Sequence, residues 1–180
     1  MTPDPVVTQG VAAALAMLLL VGAWQKLRDV AAFSAALEAY ELLPAVLLGP
    51  FSWLLPLCEA LAGLTLVIDR SREFGALLAM ALLAVVTTAV IISLLRGRSD
   101  LRCGCGGIED DQTLSWALVV RNGVLLCLFA VTRATPALRE LLWLDYLSVA
   151  AGACALYGLY AMANQLLANQ PRLWRLRNLP

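Results

Sequence analysis

Charged residues are spaced along this chain at intervals that match the thickness of a lipid bilayer. No acidic or basic side chain occurs from Val6 to Trp24, nor from Phe74 to Leu95. A helix rises about 1.5 Å per residue, so roughly 20 such residues cross a hydrocarbon core about 30 Å thick. Three further apolar runs, at about 45–68, 114–131 and 141–167, carry isolated polar residues but have comparable length. Hydrophobic residues make up 61% and charged residues 14% of the 180, where a soluble domain carries about a quarter charged. That leaves too little polar surface for water and suits an outer face in lipid. The expected fold is an all-α integral membrane protein, one transmembrane domain over 1–180, with four transmembrane helices plus a fifth and the bilayer as its first partner.

The first run lacks a basic start and a clear small-residue cleavage site before Lys26, so it is expected to stay as a helix. Between about 28 and 42, Val30, Phe33, Leu37 and Tyr40 recur at helical spacing among Asp29, Glu38 and Glu41. This predicts an amphipathic helix on the membrane surface. Pro56 predicts a kink in the second run. Ser148, Ala151, Gly152 and Ala155 form a small-residue face expected to pack inward. Trp24, Trp53, Trp116, Trp143, Tyr157 and Tyr160 fit an interfacial aromatic belt, with core packing the alternative for Trp53.

Zero net charge and the absence of histidine narrow the chemistry. Nucleic acid is not an expected partner, and imidazole-ligated haem, the usual zinc sites and Ser-His or Cys-His catalysis are excluded. Thiols, carboxylates, one lysine and the arginines remain. Of five cysteines, Cys127 and Cys154 sit among small and aliphatic neighbours and read as packing residues.

The chemistry concentrates in the loop at 96–113, where Cys103-Gly104-Cys105 is followed by two glycines. Residues two apart can reach disulfide distance on so permissive a backbone, although the bridge would be strained and therefore labile. Arg98 and Arg102 would favour the thiolate, while Glu109, Asp110 and Asp111 oppose it. Three readings fit the pair: a thiol-disulfide redox site, a soft-metal site for Cu(I), or a tight glycine turn. Five spans put this loop on the arginine-rich face with Lys26, Arg28 and Arg96, against Arg70, Arg72, Arg133 and Arg139 opposite. The positive-inside rule then places the cysteines in the cytoplasm, where thiols stay reduced unless catalytic or metal-bound.

Glu59 and Arg121 fall within apolar runs. Ionisable groups in a membrane face the bundle interior and find partners, so a Glu59–Arg121 pair is expected, with Asn122 assisting. Lys26 either completes this cluster or snorkels to headgroups. Cys58, beside Glu59, is a candidate buried thiol.

Lys26 after the first helix, Tyr40-Glu41-Leu42-Leu43-Pro44, Pro56 to Glu59, Cys103 to Gly106 and Arg121-Asn122 together resemble the MauE family, itself related to DoxX-like helical-bundle membrane proteins. The resemblance covers most of the chain to about Val131; Cys58 stands outside it. It implies a multi-pass protein of the bacterial inner membrane, associated with thiol-disulfide chemistry and a thioredoxin-fold partner. In methylamine utilisation it implies maturation of the disulfide-rich small subunit of methylamine dehydrogenase. Cys103 and Cys105 would be the redox pair of a thiol-disulfide oxidoreductase component, with Lys26, Glu59, Arg102, Arg121 and Asn122 in support. A transmembrane electron route would need a quinone or a second thiol pair. The rivals are a Cu(I) chaperone using the same cysteines and a non-enzymatic scaffold for partner enzymes.

Overall fold

The computed structural model describes residues 4–101, 113–133 and 142–177, and among these it contains helices and no strand. The helices are α1 (Pro5–Arg28), α2 (Val30–Ala39), α3 (Ala45–Val67), α4 (Arg72–Leu95), α5 (Trp116–Val131) and α6 (Trp143–Arg177), with a single 3₁₀ turn at Asp69–Ser71 before α4. Local chemistry sets several of these bounds. The Asp4 carboxylate accepts from the Val6 N–H at 2.9 Å, and Pro5 occupies the first turn of α1, where its missing N–H costs nothing. Lys26 and Arg28 close α1 at the negative end of its dipole. Asp29 restarts the helix by accepting from the Ala32 N–H at 2.9 Å. Glu41, in the left-handed region at φ 51°, turns the chain from α2 towards α3.

Four segments are long and apolar enough to cross a bilayer: Pro5–Arg28, Ala45–Val67, Asp69–Leu95 and Trp143–Leu166. The protein is a multi-pass membrane protein whose surroundings are lipid. The expected span at 114–131 forms α5, but its 16 residues extend about 24 Å, less than the hydrocarbon core. α6 instead continues to Arg177, well past the end of its apolar run. α3 runs unbroken through Pro50 and Pro56, and the Ser52 hydroxyl donates to the Gly49 carbonyl at 2.7 Å beside them.

α1 is the organising helix: α3 packs along one side of it and α6 along the other, while α4 leans on α3, α5 on α4, and α2 on α3. The interface is built from small residues, with Ala12, Ala16, Ala62, Ala76 and Ala79 buried around Leu66 and Phe129. Two glycines permit the closest approaches. A Cβ on Gly63 would stand 3.2 Å from the Ala16 carbonyl oxygen of α1, and one on Gly75 would stand 2.7 Å from the Leu66 backbone nitrogen.

The outer surface is apolar, as lipid requires. Trp24, Trp53, Trp116 and Trp143 are all more than half exposed, which removes the core reading of Trp53. Cys127 and Cys154 are exposed rather than packed. The small-residue face of α6 also points outward: Ser148, Ala151 and Ala155 are exposed, and nothing lies within 4 Å of a Cβ built on Gly152. The inward face carries Ala153, Tyr157, Tyr160 and Asn164 instead. Of these, Tyr157, Tyr160 and Asn164 line a cavity that α6 borders.

Gly75→Ala should destabilise the bundle by about 1–3 kcal/mol, since the clash is with backbone that cannot rotate away. Gly123→Ala, with open space at its Cβ, should be neutral or slightly stabilising. Unfolding midpoints of the two variants in the same detergent check this.

Candidate functional site

All six helices contribute to a cavity of about 810 Å³. Its wall is mostly aliphatic and aromatic, and its polar groups form two clusters. In the first, Lys26 Nζ of α1 lies 2.6 Å from both carboxylate oxygens of Glu59 on α3. Their side chains are 8% and 14% exposed. Lys26 also lies over the Phe33 ring of α2, 5.7 Å from its centroid, a cation-π contact. Gly22, one turn earlier on α1, leaves space beside the carboxylate: a Cβ there would stand 3.9 Å from Glu59 Oε2.

The second cluster bridges α4, α5 and α6. Arg121 donates through Nε and Nη2 to Asn122 Oδ1 at 3.3 and 3.1 Å, and through Nη1 to Asn164 Oδ1. Its guanidinium lies 5.8 Å from the centroid of the Tyr160 ring. Asn122 is fully buried, and its Nδ2 donates to Thr87 Oγ1 at 3.0 Å. The Thr87 hydroxyl in turn donates to the Leu83 carbonyl at 2.6 Å. A relay of hydrogen bonds thus ties α5 to both flanking helices.

The expected Glu59–Arg121 pair is therefore replaced by Lys26–Glu59. Lys26 is neither exposed nor snorkelling, and it lies close enough to meet both oxygens of the carboxylate, whereas Arg121 is engaged by amides. Both clusters nevertheless face the same cavity. The apolar stripe of α2 does so too: Phe33, Leu37 and Tyr40 line the cavity rather than lying only against the membrane surface. Leu55 and Glu59 line it from α3, but the half-buried Cys58 does not.

Cys103, Cys105 and Arg102 lie outside the described residues. The ends of their segment are defined: the Leu114 N–H donates to the Leu101 carbonyl at 3.0 Å. Leu101 packs against a buried group of Leu114, Leu118, Val90 and Tyr40, and Tyr40 also lines the cavity. Arg98, expected to favour a thiolate, pairs with Glu41 at 2.9 Å. Sequence reasoning missed Thr87, Tyr160 and Asn164. Asn164, which with Gln165 forms an amide pair near the end of an apolar run, was the available signal.

The family model for Methylamine utilisation protein MauE matches residues 5–135. The chain belongs to the MauE family. The Methylamine utilization protein MauE of Paracoccus denitrificans is 35% identical over 135 residues, covering 74% of this chain and 73% of the relative. That of Methylorubrum extorquens is 35% identical over 134 residues, covering 74% and 72%. No solved structure matches the chain. Lys26, Tyr40, Glu59, Arg121 and Asn122, residues on which the MauE resemblance rests, converge on one cavity. α6 begins after the matched region ends and adds Tyr157, Tyr160 and Asn164.

Asn122→Leu should cost about 1–3 kcal/mol, because it removes a buried acceptor from Arg121 and leaves Thr87 without its donor. Thr87→Val should cost less, since Asn122 keeps its bond with Arg121. Denaturation midpoints in a common detergent check the order.

Proposed function

We propose that this chain is an accessory membrane protein of methylamine utilisation, resident in the bacterial inner membrane, that assists maturation of a client protein by thiol-disulfide exchange. Its redox pair is Cys103 and Cys105. A thiolate of a thioredoxin-fold partner attacks one sulfur of the Cys103–Cys105 disulfide, giving a mixed disulfide and releasing the other cysteine as a thiolate. The partner's second thiol then resolves the mixed disulfide. Two electrons and two protons pass from the partner dithiol to Cys103 and Cys105, and the reverse sequence reduces the partner.

The observation that carries this reading is the closure of the segment at its base. The Leu101–Leu114 hydrogen bond roots both ends of 102–112 beside Tyr40, at the wall of a cavity lined by MauE-type polar residues. Cys103 and Cys105 are separated by a single glycine, and the residues on either side of their segment, Leu101 and Leu114, are fixed to the bundle, which supports repeated exchange at one place. Membership of the family supports the methylamine context, through the names of the relatives.

In cells carrying Cys103→Ala, the remaining Cys105 should trap the partner as a mixed disulfide, resolved by non-reducing electrophoresis after acid quenching. Cys103→Ser/Cys105→Ser should trap nothing and lose maturation of the client. Full maturation in the double variant would contradict the proposal, as would stoichiometric Cu(I) binding by a pair that never cycles.

A further inference from the structure

We propose that the central cavity binds a membrane quinone: a flat, uncharged, hydrogen-bond-accepting ring carrying an apolar tail. The inference goes beyond thiol exchange and uses none of the cysteines. Its first support is size, because about 810 Å³ lies within the roughly 300–1,000 Å³ typical of small-molecule sites, which are likewise apolar with a few placed polar groups.

Charge narrows the occupant. Lys26 is neutralised by Glu59, both of whose oxygens it contacts, so this end of the cavity offers little net attraction to an anion. Arg121 is hydrogen-bonded to the amide carbonyl oxygens of Asn122 and Asn164. Neutral sp² oxygens are therefore acceptors that this guanidinium takes, and a quinone carbonyl presents the same acceptor with the same geometry.

Shape narrows it further. Phe33, Phe51, Tyr157 and Tyr160 line the cavity, and aromatic faces accommodate a flat ring in offset or edge-on packing. The aliphatic remainder, including Leu55, Leu83 and Val86, suits an apolar tail. α6 supplies Tyr157, Tyr160 and Asn164 from outside the family match, which makes this helix the element that sets ligand preference.

The full chain in phosphatidylcholine nanodiscs is labelled with a photoreactive azidoquinone bearing a decyl tail, and the labelled peptides are mapped by mass spectrometry. Saturable labelling of α1 and α6 peptides, competed by decylubiquinone and not by oleate, is the expected result. Arg121→Leu should weaken competition about tenfold, the effect of losing one charge-assisted hydrogen bond. Ala161→Phe adds volume at the cavity wall with Lys26, Glu59, Arg121 and Asn122 unsubstituted, and should abolish saturable labelling while the unfolding midpoint is kept. Cys103→Ser/Cys105→Ser should label like the unsubstituted chain, so failure of the thiol reading leaves this one testable. Non-saturable labelling, labelling confined to outward residues such as Trp53, or equal competition by oleate would overturn it.

Discussion

The Lys26–Glu59 ion pair is the interaction on which the arrangement of the bundle depends. Each charge alone costs several kcal/mol in a low-dielectric interior, and a single partner removed leaves the other uncompensated. The two therefore have to meet, and meeting fixes α1 against α3 in one register. Leu20 and Ala16 of α1 lie against Gly63 of α3, one helical turn beyond Glu59, as antiparallel helices require. Because α6 hangs on α1, while α2 and α4 lean on α3, this register sets the positions of the remaining cavity walls.

The same economy explains why the cavity is polar at two points and apolar elsewhere. Lys26 and Glu59 satisfy one another. Arg121 is held by two asparagines and a tyrosine ring, and the buried Asn122 is satisfied by Arg121 and Thr87. Such networks are stable in a membrane only when their members find partners. Here the partners come from α1 and α3 on one side and from α4, α5 and α6 on the other. The cavity between the clusters is thus a consequence of polar side chains holding helices at positions that apolar packing alone would close.

Much of this was legible in the sequence, and the rest was lost for identifiable reasons. Uninterrupted runs such as Phe74 to Leu95 announce a helix and its solvent directly. Glu59, Arg121 and Asn122 declared themselves as interior groups because lipid does not tolerate them. Which of them pair is a matter of rotation and register, and no one-dimensional pattern shows that Lys26, at the end of α1, turns inward. For α6, a small-residue motif pointed to one face and the structure buries another. In lipid, small residues permit close packing without compelling it, and the tyrosines that line the cavity resemble belt residues by position alone. The α2 stripe was recognisable as amphipathic, but periodicity does not distinguish a helix over headgroups from one that closes a cavity.

The central claim is that Lys26 and Glu59 act as one unit that sets the bundle. A double-mutant cycle with Lys26→Met and Glu59→Leu, followed by reversible unfolding in one detergent, measures this directly. The account predicts that each single substitution costs about 3–5 kcal/mol and that the double variant recovers most of the loss, because no uncompensated charge remains. Single costs that simply add, or that stay near zero, would contradict it.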